Sequence, residues 1–276
     1  MKHPESPTAY VDSPTHASAP SNSAWNHAQE WWWLWWNNAY LGCAALVLLF
    51  TPDRNWLSTA RVVILHTYLR LRWALLVFVF IMAMTNTVIT AIVSKTLAQF
   101  GMGTLASTLM IRVMLVEAIP IVAALTIAIK LSIPLGAELS DLRRSRHLNR
   151  LHDAGLDAYR MEFLPRLLMG IYGVVMFSVM GSAVVVLTLY QGLYGFTSAG
   201  YDSFTNIFSR VMTPYFTFIF AGKAIAFGYI VALIPLTSAF SRSRFGLRRD
   251  TELLTLARML FLIMVVEVLS LVVNYY

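Results

Sequence analysis

The chain is 276 residues long, 58 % hydrophobic and 13 % charged, with a formal net charge of +7. Soluble domains carry roughly 25 % charged residues, so this composition excludes an ordinary water-soluble fold and points to one embedded in lipid. The one cysteine, Cys43, excludes an intrachain disulfide and a cysteine-cluster metal site, and reads as a small buried apolar residue.

Residues 1–26 are polar and rich in Pro and Ser (His3, Pro4, Ser6, Pro7, Pro14, Ser18, Pro20), which predicts a disordered cytoplasmic tail without a cleavable signal. Residues 27–72 then open on Trp31-Trp32-Trp33-Leu34-Trp35-Trp36, whose indoles suit the headgroup region better than a quinone or sugar site. The apolar run from Ala39 to Phe50 is too short to cross a bilayer and is broken by Thr51-Pro52-Asp53, so this region reads as helices lying in the inner interface.

Five apolar runs follow, at roughly 73–96, 107–136, 167–191, 212–239 and 257–275, each long enough for a bilayer crossing. The predicted fold class is therefore an all-α integral membrane protein, with N-terminal interfacial helices ahead of five transmembrane helices. With a cytoplasmic N-terminus, the inner side holds fifteen arginines: Arg54, Arg61, Arg70, Arg72, Arg143, Arg144, Arg146, Arg150, Arg160, Arg166, Arg242, Arg244, Arg248, Arg249 and Arg258. Lys95, Arg112 and Arg210 alone fall outside. This positive-inside pattern assigns the net charge to topology rather than to nucleic acid, and puts the C-terminal Tyr275-Tyr276 on the far side.

Pro120, Pro134, Pro214 and Pro235 stand as helix breakers, and small residues cluster at Gly170, Gly173 and Gly181, faces along which helices approach closely in lipid. No internal repeat is evident, against an inverted-repeat carrier. The one sizeable outer loop, Gln191 to Ser209, reads as a compact turn rich in Gly and Tyr, and the inner segment 139–162 as a short surface helix.

Chemistry is concentrated in four charges inside apolar runs: Glu117, Lys130, Lys223 and Glu267. Within a membrane such residues mark function, or else form interhelical ion pairs that fix packing; Lys130, near the inner boundary with Glu138, also has the option of snorkelling. No catalytic set accompanies them. Asp141, His147, His152 and Asp153 sit on a basic, solvated connection, and Gly222-Lys223-Ala224 lacks the glycine and hydroxyl of a phosphate-binding loop.

Glu117-Ala118-Ile119-Pro120, Lys130 thirteen residues on, Ala137-Glu138-Leu139, Gly155-Leu156-Asp157 and Leu164-Pro165-Arg166 together form a pattern. It resembles the MlaE-type permeases of ABC transporters associated with MCE proteins, which move phospholipid between bacterial membranes. The family order is Glu-(Ile/Leu)-Gly-Pro, Gly-Arg, Ala-Glu-(Ile/Leu)-Gly, Gly-x-Asp-Pro and Pro-Arg, and the likeness runs from about residue 27 to the end. The resemblance makes 73–276 a permease domain, with Lys223 and Glu267 where the family places a lysine and an acid. It makes Pro120, Glu138, Gly155, Asp157, Pro165 and Arg166 motif positions. The segment 139–162 becomes a coupling element in which Arg146, His147, Leu148, Arg150 and Leu151 face an ATPase.

The resemblance further implies a multi-pass subunit of the bacterial inner membrane, N-terminus cytoplasmic and C-terminus periplasmic. It implies no cofactor in this chain, ATP and Mg being bound by a partner ABC ATPase. The other implied partners are a second permease copy (homo- or heterodimeric), a hexameric ring of MCE-domain protein, a small regulatory subunit and phospholipid as substrate. Lys223 would meet lipid phosphate, with Glu267 holding the lysine in the empty site. The chain departs from the family at Val116, Ile119, Ile129-Lys130 and Ala158, and its Arg146-His147-Leu148-Asn149-Arg150-Leu151 replaces an acidic segment. That charge reversal fits a dedicated, charge-complementary ATPase. It equally motivates the competing reading of a membrane scaffold or regulatory permease-like subunit that anchors an MCE ring or pairs with a second permease. A stand-alone carrier driven by protons through Glu117 and Glu267 is a third reading.

Overall fold

A computed structural model describes Trp36 and residues 40–47, 56–145, 159–240 and 252–275. The expected tail, the residues Arg146 to Leu151 expected to meet an ATPase, and Gly155 and Asp157 lie outside the described residues. Within them, five helices are long and apolar enough to cross a membrane: Arg61–Gln99, Ser107–Arg144, Arg160–Tyr194, Pro214–Ser238 and Leu254–Asn274. The first three extend beyond the apolar runs, because flanking arginines such as Arg70, Arg143 and Arg166 continue the helices rather than end them, while the last two stay close to theirs.

A helix at residues 40–47, α1, precedes α2, Trp56–Gln99. The second expected interfacial segment is thus continuous with the first span: α2 has no break near residue 73. The remaining helices are α3 (residues 103–144), α4 (residues 159–194), α5 (Tyr201–Val211), α6 (Pro214–Phe240) and α7 (Glu252–Tyr275). In α3 the apolar run ends at Glu138 but the helix continues to Arg144, so part of the expected surface helix is the end of a span.

Helix α6 lies at the centre, packed against α3, α4 and α7, with α2 on the far side of α4. The core joins Leu71 and Phe78 of α2, Ile119, Ile127 and Leu131 of α3, Val174 and Phe177 of α4, and Phe227 and Val231 of α6. Close approach is built into the crossings. A Cβ on Gly136 would sit 2.8 Å from the Cβ of Pro235, and one on Gly170 only 2.4 Å from that of Ala232. Without a hydrophobic force between helices in lipid, such contacts supply much of the packing energy. A smaller cluster seats α1 on the bundle: Ala45 packs with Leu139, Phe163, Leu167 and Leu233, and the Tyr229 hydroxyl donates to the Gly42 carbonyl at 2.6 Å.

The loop after α4 is where the expected turn gives way to a helix. α5 buries Phe204 and Val211 and turns Asp202, Asn206 and Arg210 outward. An amphipathic helix over the bundle end is the physical outcome of apolar side chains at i, i+4 and i+7. Phe204 meets Tyr190 edge-on at 5.4 Å, and Gly200 lies so close to the Tyr194 ring that no side chain fits there.

A buried ion cluster between three spans

Three stretches of π-helix interrupt the α-helical spans: Val113–Ala118 and Ala128–Ser132 in α3, and Tyr159–Phe163 at the start of α4. Each ends just before a proline at the second position of the next α-segment: Pro120, Pro134 and Pro165. Proline has no N–H and its ring clashes with the carbonyl four residues back, so the backbone loses one i→i−4 bond and widens by a residue. The amides of Ile119 and Ile133 accordingly bond five residues back, to the Met114 and Ala128 carbonyls. Of the prolines expected to break helices, Pro120 and Pro134 therefore re-aim side chains within a continuous one, Pro214 does begin a new helix after a break, and Pro235 lies inside unbroken α6. Glu117 and Lys130 both stand in such widened turns.

The first turn builds the principal site. Without an amide at Pro120, the Val116 carbonyl lacks its usual donor, and the Lys223 ammonium on α6 donates to it at 3.4 Å. The same ammonium pairs with Glu117 Oε2 and, at 2.9 Å, with Glu267 Oε2 on α7. Asn274, two turns beyond Glu267, donates through Nδ2 to Glu117 Oε1 at 3.4 Å. Lys223 has a side chain only 1 % exposed, which rules out a ligand reaching it while the cluster is closed. The cluster thus ties α3, α6 and α7 together through two carboxylates around one cation.

The other two motif charges are placed apart. Glu138 pairs with Arg70 of α2, the second guanidinium nitrogen lying 3.4 Å from Oε2. Arg166 turns back over the third π-turn, donating to the Glu162 carbonyl at 2.6 Å and pairing with its carboxylate. Lys130 is exposed on the bundle surface, and among the described residues it has no hydrogen-bond or ion-pair partner. So the structure joins Glu117, Lys223 and Glu267 and leaves Lys130 separate.

Sequence reading missed Asn274, the Val116 carbonyl and Arg70. Asn274 was detectable as a polar residue seven positions after Glu267, on the same helical face. The Glu162–Arg166 pair was detectable from its i,i+4 spacing. Nothing local announces the Arg70–Glu138 pair.

Since Arg70 and Glu138 are both nearly half-exposed, Arg70→Glu is expected to cost no more than about 1 kcal/mol. The reversed double variant, Arg70→Glu with Glu138→Arg, should recover it. Melting of the purified protein in detergent measures both, and a double variant no better than the sum of the singles would remove the pairing.

A family model described as Permease MlaE matches residues 64–273, which spans α2 to α7 and includes every residue of the buried cluster except Asn274. No curated protein matches the chain.

Proposed function

The chain belongs to the MlaE permease family, and from that premise we propose that it moves phospholipid as the permease of an MCE-associated ABC transporter. Family membership makes it a multi-pass membrane subunit of an ABC-type lipid transporter; substrate and assembly are the proposed part. Its match across residues 64–273 carries the reading.

In this reading two permease copies enclose the lipid path, an ATPase that binds ATP and Mg works on the 139–162 segment, and an MCE ring receives or delivers lipid on the other side. A small regulatory subunit completes the assembly. The asymmetry of fifteen arginines inside against Lys95, Arg112 and Arg210 outside supports an inner-membrane placement with the N-terminus cytoplasmic. The buried cluster supports a gating role. It is a closed clasp between α3, α6 and α7, and parting these helices would free the Lys223 ammonium for a lipid phosphate while Glu117 and Glu267 hold it otherwise.

The test is to purify the chain with its ATPase and measure lipid-stimulated ATP hydrolysis and lipid transfer for Lys223→Ala and Glu267→Ala. Both variants should lose the lipid stimulation. Wild-type hydrolysis and transfer in both would discard the gating role. The basic Arg146–Arg150 stretch favours one second reading, a scaffold that anchors an MCE ring or pairs with another permease. Retained ATPase binding in Arg146→Glu and Arg150→Glu would support the scaffold, and loss of binding the coupled permease.

A further inference from the structure

Lys130 poses a problem that the closed cluster does not. It stands in the second π-turn of α3, beside Ile129, which is also exposed. Glu138, eight residues further along, marks the arginine-rich end of the bundle with Arg70. Eight residues of helix place Lys130 about 12 Å deeper than that pair, farther than a lysine side chain extends. Side chains on a helix lean toward its N-terminus, which on α3 is away from Arg70 and Glu138. Snorkelling to that end is therefore opposed by both distance and direction.

An unpaired ammonium at this depth costs several kcal/mol, so it requires an anion. The described residues do not supply one. Of the carboxylates on the described spans, Glu117 and Glu267 face Lys223, Glu138 faces Arg70, Asp141 lies 3.9 Å from Arg144 and Glu162 faces Arg166. A second copy would bring the same occupied groups.

We infer that Lys130 is the phosphate contact of a bound phospholipid, held against the exposed surface of α3 while Lys223 is locked away. A compact ammonium binds phosphate as a point charge, without demanding one headgroup orientation. This deepens the permease reading and rests on it only for the lipid's being cargo; the binding itself does not depend on transport.

The experiment uses the full chain in detergent, with retained lipid counted by native mass spectrometry after addition of dioleoylphosphatidylglycerol or dioleoylglycerol. These share acyl chains and differ in the phosphate. Wild type is expected to prefer the phospholipid. Lys130→Gln should lower that preference about tenfold, the worth of one charge contact near 1.4 kcal/mol, and Lys130→Arg should keep it. The inference is overturned if wild type shows no preference, or if Lys130→Gln retains it. It is also overturned if Lys130→Gln instead converts a dimer to monomer with lipid retention unchanged, since Lys130 would then serve contact between copies. Failure of lipid-stimulated ATP hydrolysis would count against the permease reading and leave this binding result standing.

Discussion

Lys223→Met is expected to destabilise the protein by roughly 3–5 kcal/mol, the usual cost of removing one member of a buried ion pair. The substitution leaves Glu117 and Glu267 facing each other in a buried site without their cation, and strips the Val116 carbonyl of its donor. Methionine fills the volume of the lysine stem, so the loss reflects charge rather than a cavity. Neutralising all three positions, as Glu117→Gln with Lys223→Met and Glu267→Gln, should recover most of the stability, because buried ionic groups replaced together are often neutral or better. Thermal unfolding in detergent measures the series. A single variant that melts with wild type would show that the cluster contributes nothing as an ion network.

The triple variant also separates packing from gating. A cluster that serves packing alone is replaceable by neutral side chains without loss of transport. A clasp that must open needs its charges, since only a cation can be released from two acids and offered to a phosphate. Recovered stability with lost lipid stimulation is the expected combination.

What the sequence made legible follows from the range of the forces involved. The spans were visible because a bilayer demands long apolar runs, and Glu117, Lys223 and Glu267 stood out against them. Their meeting was not visible: Glu117 and Lys223 are 106 residues apart, and only the packing of α3 on α6 brings them together. The prolines were seen as interruptions, but a neighbouring amide able to bond one residue further back turns a break into a π-turn. Helix α5 was missed for a different reason. Its apolar Phe204, Ile207, Phe208 and Val211 have helical spacing, yet Gly192, Gly195 and Gly200 just ahead weigh toward a turn. Gly192 lies within α4 against Thr90, Gly195 ends that helix and Gly200 lets the chain pass Tyr194; they say nothing against the helix that follows.

The second large effect concerns how α4 and α6 are held. A Cβ on Gly228 would lie 2.9 Å from the Cα of Ile171 and 3.1 Å from its carbonyl oxygen, whereas one on Gly222 of the same helix meets nothing within 4 Å. Gly228→Ala is therefore expected to cost about 1–3 kcal/mol by overpacking, and Gly222→Ala to be neutral or slightly stabilising. The obstacle at Gly228 is backbone, so Ile171→Ala should not relieve it. At Gly170 the nearest obstacle is the Ala232 Cβ, so Gly170→Ala combined with Ala232→Gly should recover much of what Gly170→Ala loses. Detergent melts of these variants read the difference directly, and rescue of Gly228→Ala by Ile171→Ala would contradict the backbone contact. The consequence reaches the ion cluster. With α4 locked to α6 here, and α3 to α6 at Gly136 and Pro235, α6 cannot slide freely against either. Helix α7 has α6 as its main neighbour and no comparable glycine seam. Parting of the cluster is then expected to begin with Glu267 leaving Lys223, and a cysteine pair engineered between α6 and α7 should block lipid-stimulated hydrolysis more completely than one between α4 and α6.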